Sequence, residues 1–113
     1  MINYKDKEYV CFLDWGFELI RGKWKAVILC HLSEGPKRFL ELQRITGSVS
    51  QKVLTQHLKQ LEEDGFISKT IYPEVPPRVE YNLTEKGNEI VPALKIIEKW
   101  AEKYFPNLEE EGE

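Results

Sequence analysis

The sequence has few of the residues that staple a small protein or anchor it in a membrane. It holds two cysteines, Cys11 and Cys30, in 113 residues, too few for a disulfide framework and typical of a reducing compartment. The longest uninterrupted apolar run, residues 26–30, is far shorter than the ~20 residues that span a bilayer. Residues 1–8 include acids and no long apolar segment, unlike a signal peptide. We therefore expect a cytoplasmic chain with no membrane partner.

Motifs of catalysis and of metal binding are also missing. The sequence has no Gly-rich phosphate loop and no nucleophile elbow. His31 and His57 lie far apart in the sequence, and no Cys/His pair has the spacing of a metal site. We expect a protein without enzymatic activity, metal or cofactor.

What the sequence does have is the composition of one folded domain. It is 42% hydrophobic and 12% aromatic, which is too high for a disordered chain. Its length suits a single core, and we find no repeat, linker or low-complexity tract. We expect residues 1–113 to form one domain.

The charge of the chain is unevenly distributed. The formal net charge is −3, yet residues 21–59 hold eight Lys/Arg against two acids, and residues 60–113 hold six Lys/Arg against thirteen acids. A polyanion responds to the face that a protein presents and not to its total charge. The basic segment therefore allows a nucleic-acid partner in spite of the acidic total.

Apolar periodicity predicts a mostly helical protein with one small β-hairpin. Ser50 is a good N-cap for a helix over 51–63 that buries Leu54, Leu58 and Leu61. The β-branched stretches 66–72 and 78–83 flank a Pro-rich tip that can only be a turn. The expected segments are an N-terminal helix (8–20), a helix-turn-helix core (23–65, with a helix at 23–33 burying Trp24, Val27, Ile28 and Leu32), a wing (66–83) and a last helix (84–104).

This order of elements is that of a winged helix-turn-helix. In that layout the helix over 51–63 lies in the major groove, and its polar face carries Gln51, Lys52, Thr55 and Gln56, whose side chains can read base edges. No acid occurs on this helix before Glu62, although the whole chain is acidic. We expect double-stranded DNA as the partner.

Other polar residues are better suited to the phosphate backbone than to bases. The third helix crosses the backbone in this layout, and Arg78 at the wing tip would reach a minor groove or a phosphate. The alternative for Arg78 is an ion pair with Glu74 or Glu80 across the hairpin. The expected phosphate or wing contacts are Lys37, Arg38, Arg44, Ser50, Lys59 and Arg78, with Lys23 and Lys25 as further candidates.

Several motifs together resemble the HxlR-type family of winged helix-turn-helix transcriptional regulators. The resemblance covers about residues 11–104. It is carried by Cys11, Gly22-Lys23-Trp24, Arg38-Phe39-Leu40-Glu41-Leu42, the run from Ser50 to Gly65, Val75-Pro76-Pro77-Arg78-Val79-Glu80-Tyr81, Leu83-Thr84, Gly87, Pro92 and Trp100.

The resemblance implies a homodimer, held by the first and last helices, that binds an operator and regulates neighbouring genes. The apolar seam of the last helix has little else to pack against in so short a chain. The expected interface residues are Ile90, Leu94, Ile97, Trp100, Ala101 and Tyr104.

Cys11 is a candidate redox sensor, because some family members sense oxidants or electrophiles with a cysteine here. Phe12 follows it where members often have proline. Cys30 lies in an apolar helix and is expected to be an inert core thiol.

Two alternatives to DNA binding remain open. A winged-helix protein-interaction module would carry acids on the outer face of the helix over 51–63, and none is present up to Lys59. An RNA-binding protein would expose stacking aromatic residues, whereas the aromatic residues here occupy positions expected to be buried. The sequence identifies no small-molecule effector.

Overall fold

The computed structural model describes residues 1–106. Five helices and two antiparallel hairpins follow one another along the chain, and the mostly helical winged helix-turn-helix fold is confirmed. The elements are β1 (Ile2–Tyr4), β2 (Lys7–Tyr9), α1 (Phe12–Ile20), α2 (Lys25–Leu32), α3 (Phe39–Ile45), α4 (Gln51–Glu63), β3 (Ile67–Tyr72), β4 (Arg78–Leu83) and α5 (Glu85–Tyr104). The acidic tail from residue 107 onward, expected to fray, lies outside the described residues.

The N-terminal helix is shorter than the predicted 8–20. It begins at Phe12 because the residues before it form the β1–β2 hairpin, in which Ile2 pairs with Tyr9. Lys5 and Asp6 make the turn with φ of 48° and 60°, the left-handed conformation that two-residue hairpin loops require at both positions. This hairpin was not predicted from the sequence.

One buried cluster joins α2, α3, α4, β3 and α5, and Leu19 and Ile20 of α1 pack against it. The three leucines predicted for α4 are in it, as is Leu29, which is fully buried. Val27, predicted to be buried on α2, is 37% exposed. The apolar residues of α2 are distributed around the helix, so the sequence alone does not show which face is inside. The cluster consists of Ile28, Leu29, Leu32, Leu42, Leu54, Leu58, Leu61, Phe66, Ile67 and Leu94.

The wing is tied to α5 by a close backbone approach. Thr84, the N-cap of α5, accepts a hydrogen bond from the Gly87 amide (3.2 Å), donates one through Oγ1 to the Gly65 carbonyl (2.5 Å), and donates its own amide to the Phe66 carbonyl (3.0 Å). A Cβ on Gly87 would lie inside contact distance of the Phe66 carbonyl oxygen. The position of the wing is therefore fixed by the start of α5.

Candidate nucleic-acid interface

The polar face of α4 is directed to solvent. Gln51, Lys52, Thr55 and Gln56, called the reading face below, are all exposed, while Leu54 on the opposite side is fully buried. Lys52 and Gln56 lie two residues from a buried leucine, which the helical period places on the far side of α4. Thr55 lies between the two faces, and Gln51 is exposed as the first residue of the helix. The structure thus places the four predicted base-reading side chains together on one exposed surface.

The turn before α4 sets the direction of this helix. Gly47 and Ser48 adopt φ of 74° and 61°. The side-chain nitrogen Nε2 of Gln43 donates a hydrogen bond to the Val49 carbonyl at 2.9 Å. Ser50 then caps α4, its Oγ accepting a hydrogen bond from the Val53 amide at 3.1 Å. The Ser50 hydroxyl is therefore engaged with its own helix, and its contribution to anion binding is indirect.

Three of the predicted phosphate contacts carry free cations. Arg38, Arg44 and Lys59 are exposed, and among residues 1–106 no carboxylate lies within ion-pair distance of any of them. Arg38 precedes α3 and donates its backbone amide to the Glu41 carboxylate at 3.0 Å. These three side chains flank or share the helix that carries the reading face.

Lys37 is less available than the sequence indicated. Its backbone exchanges two hydrogen bonds with Tyr81 of the wing, at 3.1 and 2.8 Å. Its side chain is 19% exposed, and its ammonium lies 3.8 Å from the Glu34 carboxylate. The backbone of Lys37 therefore links the helix-turn-helix to the wing, and its side chain has little free surface for a phosphate.

Arg78 makes the hairpin contact that was the alternative to DNA. Its guanidinium carbon lies 4.0 Å from the centre of the Tyr72 ring, and its Nη2 lies 3.4 Å from the Glu74 carboxylate. Its Nε is buried and has no hydrogen-bond partner among the described residues. Arg78 is thus held at the wing tip with one donor unsatisfied.

The two lysines at the start of α2 differ from each other. The Lys23 ammonium lies 4.8 Å from the centre of the Trp24 ring, and Lys23 is exposed. Lys25 is only 8% exposed, so it is less available to a phosphate than Lys23.

An apolar surface on α1 and α5 is left uncovered in the protomer. The apolar face, as we call it, consists of Phe12, Leu13, Phe17, Ile97, Trp100 and Tyr104, each between 48% and 76% exposed. Between its two helices runs an apolar groove of 220 Å³. The expectation that the aromatic residues are buried is wrong for these positions, but they lie on α1 and α5 and not on α4.

The other predicted interface residues of α5 are placed differently. Leu94 is 7% exposed and belongs to the core of its own chain, because α5 packs on α2 at this level. Ile90 is half-buried against the same core, and Ala101 is exposed beside the aromatic residues. The uncovered part of the seam is therefore its C-terminal half.

The two cysteines lie in different surroundings. Cys11 is exposed and is the N-cap residue directly before α1. Cys30 is only partly buried and lines a small groove between α2 and α5. It therefore lies at the edge of the core and not inside it, where it was expected. Burial raises the pKa of the Cys30 thiol above its usual range, which lowers the fraction of reactive thiolate.

Within residues 1–106, no helix combines the length and apolar character needed to cross a membrane. The same part of the chain contains no group of three His, Cys, Asp or Glu side chains placed to hold a metal ion.

The structure also contains a cleft behind α4 that was not predicted from the sequence. It is lined by the N-terminal hairpin, α1, Lys25 and the second half of α4, including His57. The available signal was the pair of aromatic and β-branched stretches on either side of Lys5 and Asp6, which would have indicated the hairpin that forms one wall.

Known proteins resemble this chain over most of its length. A family model described as HxlR-like helix-turn-helix matches residues 19–109. An uncharacterized HTH-type transcriptional regulator of Methanothermobacter thermautotrophicus is 44% identical over 108 residues, which are 96% of this chain and 82% of that protein.

Solved structures share the fold. The redox regulator HypR in its reduced form gives a TM-score of 0.82 at 38% identity, covering 88% of this chain and 99% of that one. The reduced form of the transcriptional regulator YodB from B. subtilis gives a TM-score of 0.74 at 33% identity, covering 85% of this chain and 95% of that one.

Proposed function

Because this chain belongs to the HxlR-like helix-turn-helix family of transcriptional regulators, we propose that it binds DNA sequence-specifically, as a homodimer on a roughly palindromic operator. The observation that carries the proposal is the exposed face of α4. Ten consecutive residues, 51–60, contain no acid in a chain of net charge −3. Such a surface is expected where a helix enters the major groove.

The cations around α4 fall into two groups, those without an acidic partner and those with one. Arg38, Arg44 and Lys59 are exposed without carboxylate partners among the described residues, as phosphate contacts require. Lys37 and Arg78 already have acidic neighbours within the chain. In our proposal the first group contributes most of the phosphate binding, and Arg78 joins only when DNA draws it from Glu74.

The apolar face supports the homodimer. Six large apolar side chains on α1 and α5 are about half exposed or more in the protomer, and surfaces of this kind mark protein contacts. A second copy covers them through a twofold interface, in which the same patch meets itself. Two copies of α4 would then meet successive major grooves about 34 Å apart, which demands a roughly palindromic site.

The test uses the DNA between this gene and its neighbour. Fluorescence anisotropy should show one segment with an inverted repeat bound at least ~10³-fold more tightly than a scrambled duplex at physiological salt. Lys52→Glu should abolish the preference. Lys95→Glu, the same charge change on an exposed residue of α5, should leave it. Absence of salt-dependent binding to any segment would favour the protein-interaction module instead.

A second function, the sensing of oxidants, is supported by the position of Cys11. Its thiol is exposed at the start of the helix that carries half of the apolar face. A peroxide would oxidise that thiol to sulfenic acid and release water, next to the proposed dimer contact. Asp14, whose carboxylate accepts the Val10 amide at 2.9 Å, is the charged group nearest in sequence after it.

The sensing function is tested by comparing cysteine variants. Peroxide should weaken DNA binding of the wild type and of Cys30→Ser, and should leave Cys11→Ser unaffected. Loss of binding in Cys11→Ser after the same treatment would contradict a role for this thiol.

A further inference from the structure

A cleft of 550 Å³ lies behind the reading helix. Its walls are the β1–β2 hairpin, α1, the start of α2 and the second half of α4. The volume is within the range of sites for small molecules, about 300–1,000 Å³. Of the side chains considered for DNA contact, Lys25 alone lines it, and none of the reading face does, so the cleft is separate from the proposed interface.

Lys25 is the unusual residue of this cleft. It is 8% exposed, and only one other polar residue among those described, Thr46, is also classed as buried. Thr46 Oγ1 donates to the Leu42 carbonyl, whereas the Lys25 ammonium has no hydrogen bond or ion pair within residues 1–106. The stem of Lys25 is buried, but its ammonium is not among the buried polar atoms without a partner, so the ammonium reaches the open space of the cleft and can pair there with an anion.

Three acids line the cleft with Lys25, namely Glu18, Glu63 and Asp64, and none of them lies within ion-pair distance of its ammonium among residues 1–106. Glu18 has other partners. The Glu18 carboxylate lies 2.7 Å from the Lys7 ammonium and 3.3 Å from Arg21 Nε. The hydrogen bond from Lys7 lowers the pKa of Glu18 below its usual value, so Glu18 is an anion whose charge is compensated elsewhere. Lys25 also lowers the pKa of Glu18 through space, but no carboxylate of the described residues is in direct contact with its ammonium.

Two more polar atoms of the lining residues lack partners. Nδ1 of His57 and Nε1 of Trp15 are buried without a hydrogen bond in the described part of the chain. Burial, and then the charge of Lys25, lowers the pKa of His57, so its imidazole is neutral at pH 7. The Trp15 indole packs edge-on against Tyr4 with ring centres 5.4 Å apart, which gives the cleft an aromatic wall.

We propose that this cleft binds a small organic anion, an aromatic carboxylate or phosphate whose oxygens pair with Lys25 and whose ring lies against Trp15 and Tyr4. His57 and Gln60 of the cleft belong to α4, one and four residues beyond Gln56. An occupant therefore contacts the helix that reads DNA, and the cleft is an effector site. The regulatory half of this inference rests on the proposed DNA binding, whereas ligand binding does not.

The binding test needs no DNA and uses phenyl phosphate, benzoate and the uncharged benzyl alcohol. Each is titrated into the ¹⁵N-labelled dimer or monomer as purified, by calorimetry and by following the indole N–H signals, with Trp15→Phe assigning that of Trp15. Phenyl phosphate or benzoate should saturate and shift the Trp15 signal, and the tighter of the two identifies the head group. Benzyl alcohol should bind at least tenfold more weakly.

Two lysine variants separate the cleft from general surface charge. Lys25→Met should weaken binding of the anion at least tenfold, while Lys23→Met, the exposed lysine two residues earlier, should bind as the wild type does. Circular dichroism checks that both fold. If Lys25→Met does not fold, Lys25→Arg, which keeps the charge, should bind within a few-fold of the wild type.

The proposal is overturned if neither anion binds at millimolar concentration, if benzyl alcohol binds equally well, or if Lys25→Met leaves the affinity unchanged. A saturating anion that leaves DNA affinity unchanged would reject the effector role and keep the site. Failure of DNA binding itself would leave the titrations unaffected, so the two proposals fail separately.

Discussion

Arg78 and Glu74 face each other at the wing tip, with Nη2 of Arg78 3.4 Å from the Glu74 carboxylate. Both side chains are partly exposed, and pairs of this kind contribute about 0–1 kcal/mol. The wing therefore holds its cation in place with an acid, which a phosphate would have to displace in the DNA complex that we propose.

Removing the acid should strengthen DNA binding. We expect Glu74→Gln to raise affinity about two- to fivefold, the equivalent of up to ~1 kcal/mol, because Arg78 no longer exchanges one partner for another. Anisotropy titrations with the operator duplex measure this. Glu80→Gln makes the same charge change on β4 away from the pair, and an equal gain there would show a net-charge effect instead.

The apolar face predicts a dimer that one acid can dissociate. Phe17→Glu should give a monomer at micromolar concentration, because the carboxylate would be buried without a partner in the interface. Sedimentation velocity reports the change. Leu40→Glu, at a 67% exposed position on α3, should remain dimeric. A wild-type monomer that binds DNA tightly would contradict the twofold arrangement.

The close approach of Gly87 to the Phe66 carbonyl leaves no room for a side chain at position 87. Gly87→Ala should lower the free energy of unfolding by about 1–3 kcal/mol, because the new Cβ meets the Phe66 carbonyl and lies 3.0 Å from Leu83 Cδ2. Urea unfolding measures the loss. Asn88→Ala, at the exposed next position of α5, should be within about 0.5 kcal/mol of the wild type; a gain in stability for Gly87→Ala, which helix propensity alone would give, would contradict the close approach.

His57 predicts a pH dependence of stability. Burial and Lys25 lower its pKa below the usual 6.5, so between the two pKa values the unfolded chain binds more protons than the folded one. The contribution to stability is complete above about pH 6.5 and is lost as the pH falls through the folded pKa. Unfolding at pH 7.5 and 6.0 should show the drop in the wild type and in His31→Gln, and a smaller drop in His57→Gln. An equal drop in His57→Gln would contradict this origin.

The elements predicted well are those with several agreeing local signals. For α4, the Ser50 cap, the spacing of Leu54 and the stop at Gly65 all indicate one helix, and its bounds are as predicted. The β1–β2 hairpin was missed because its turn, Lys5-Asp6, lacks the Gly or Asn that usually signals positive φ.

The side chains of the site show the same division. Exposure on α4 follows from helical period, so the placement of the reading face could be predicted. The burial of Lys25 could not, because it depends on α1 and the hairpin closing over the start of α2. For Arg78, charge alone left both the Glu74 pair and DNA open, and only the geometry of the tip shows which contact forms in the free protein.

The most direct test of the central claim compares one reading residue with one phosphate contact. Gln56→Ala should cost ~1–3 kcal/mol on the best operator and little on random DNA. Arg44→Ala should weaken both duplexes alike and reduce the slope of log K against log salt by about one unit. Equal losses on operator and random DNA from both variants would contradict the account, because they would show that α4 does not lie in the major groove.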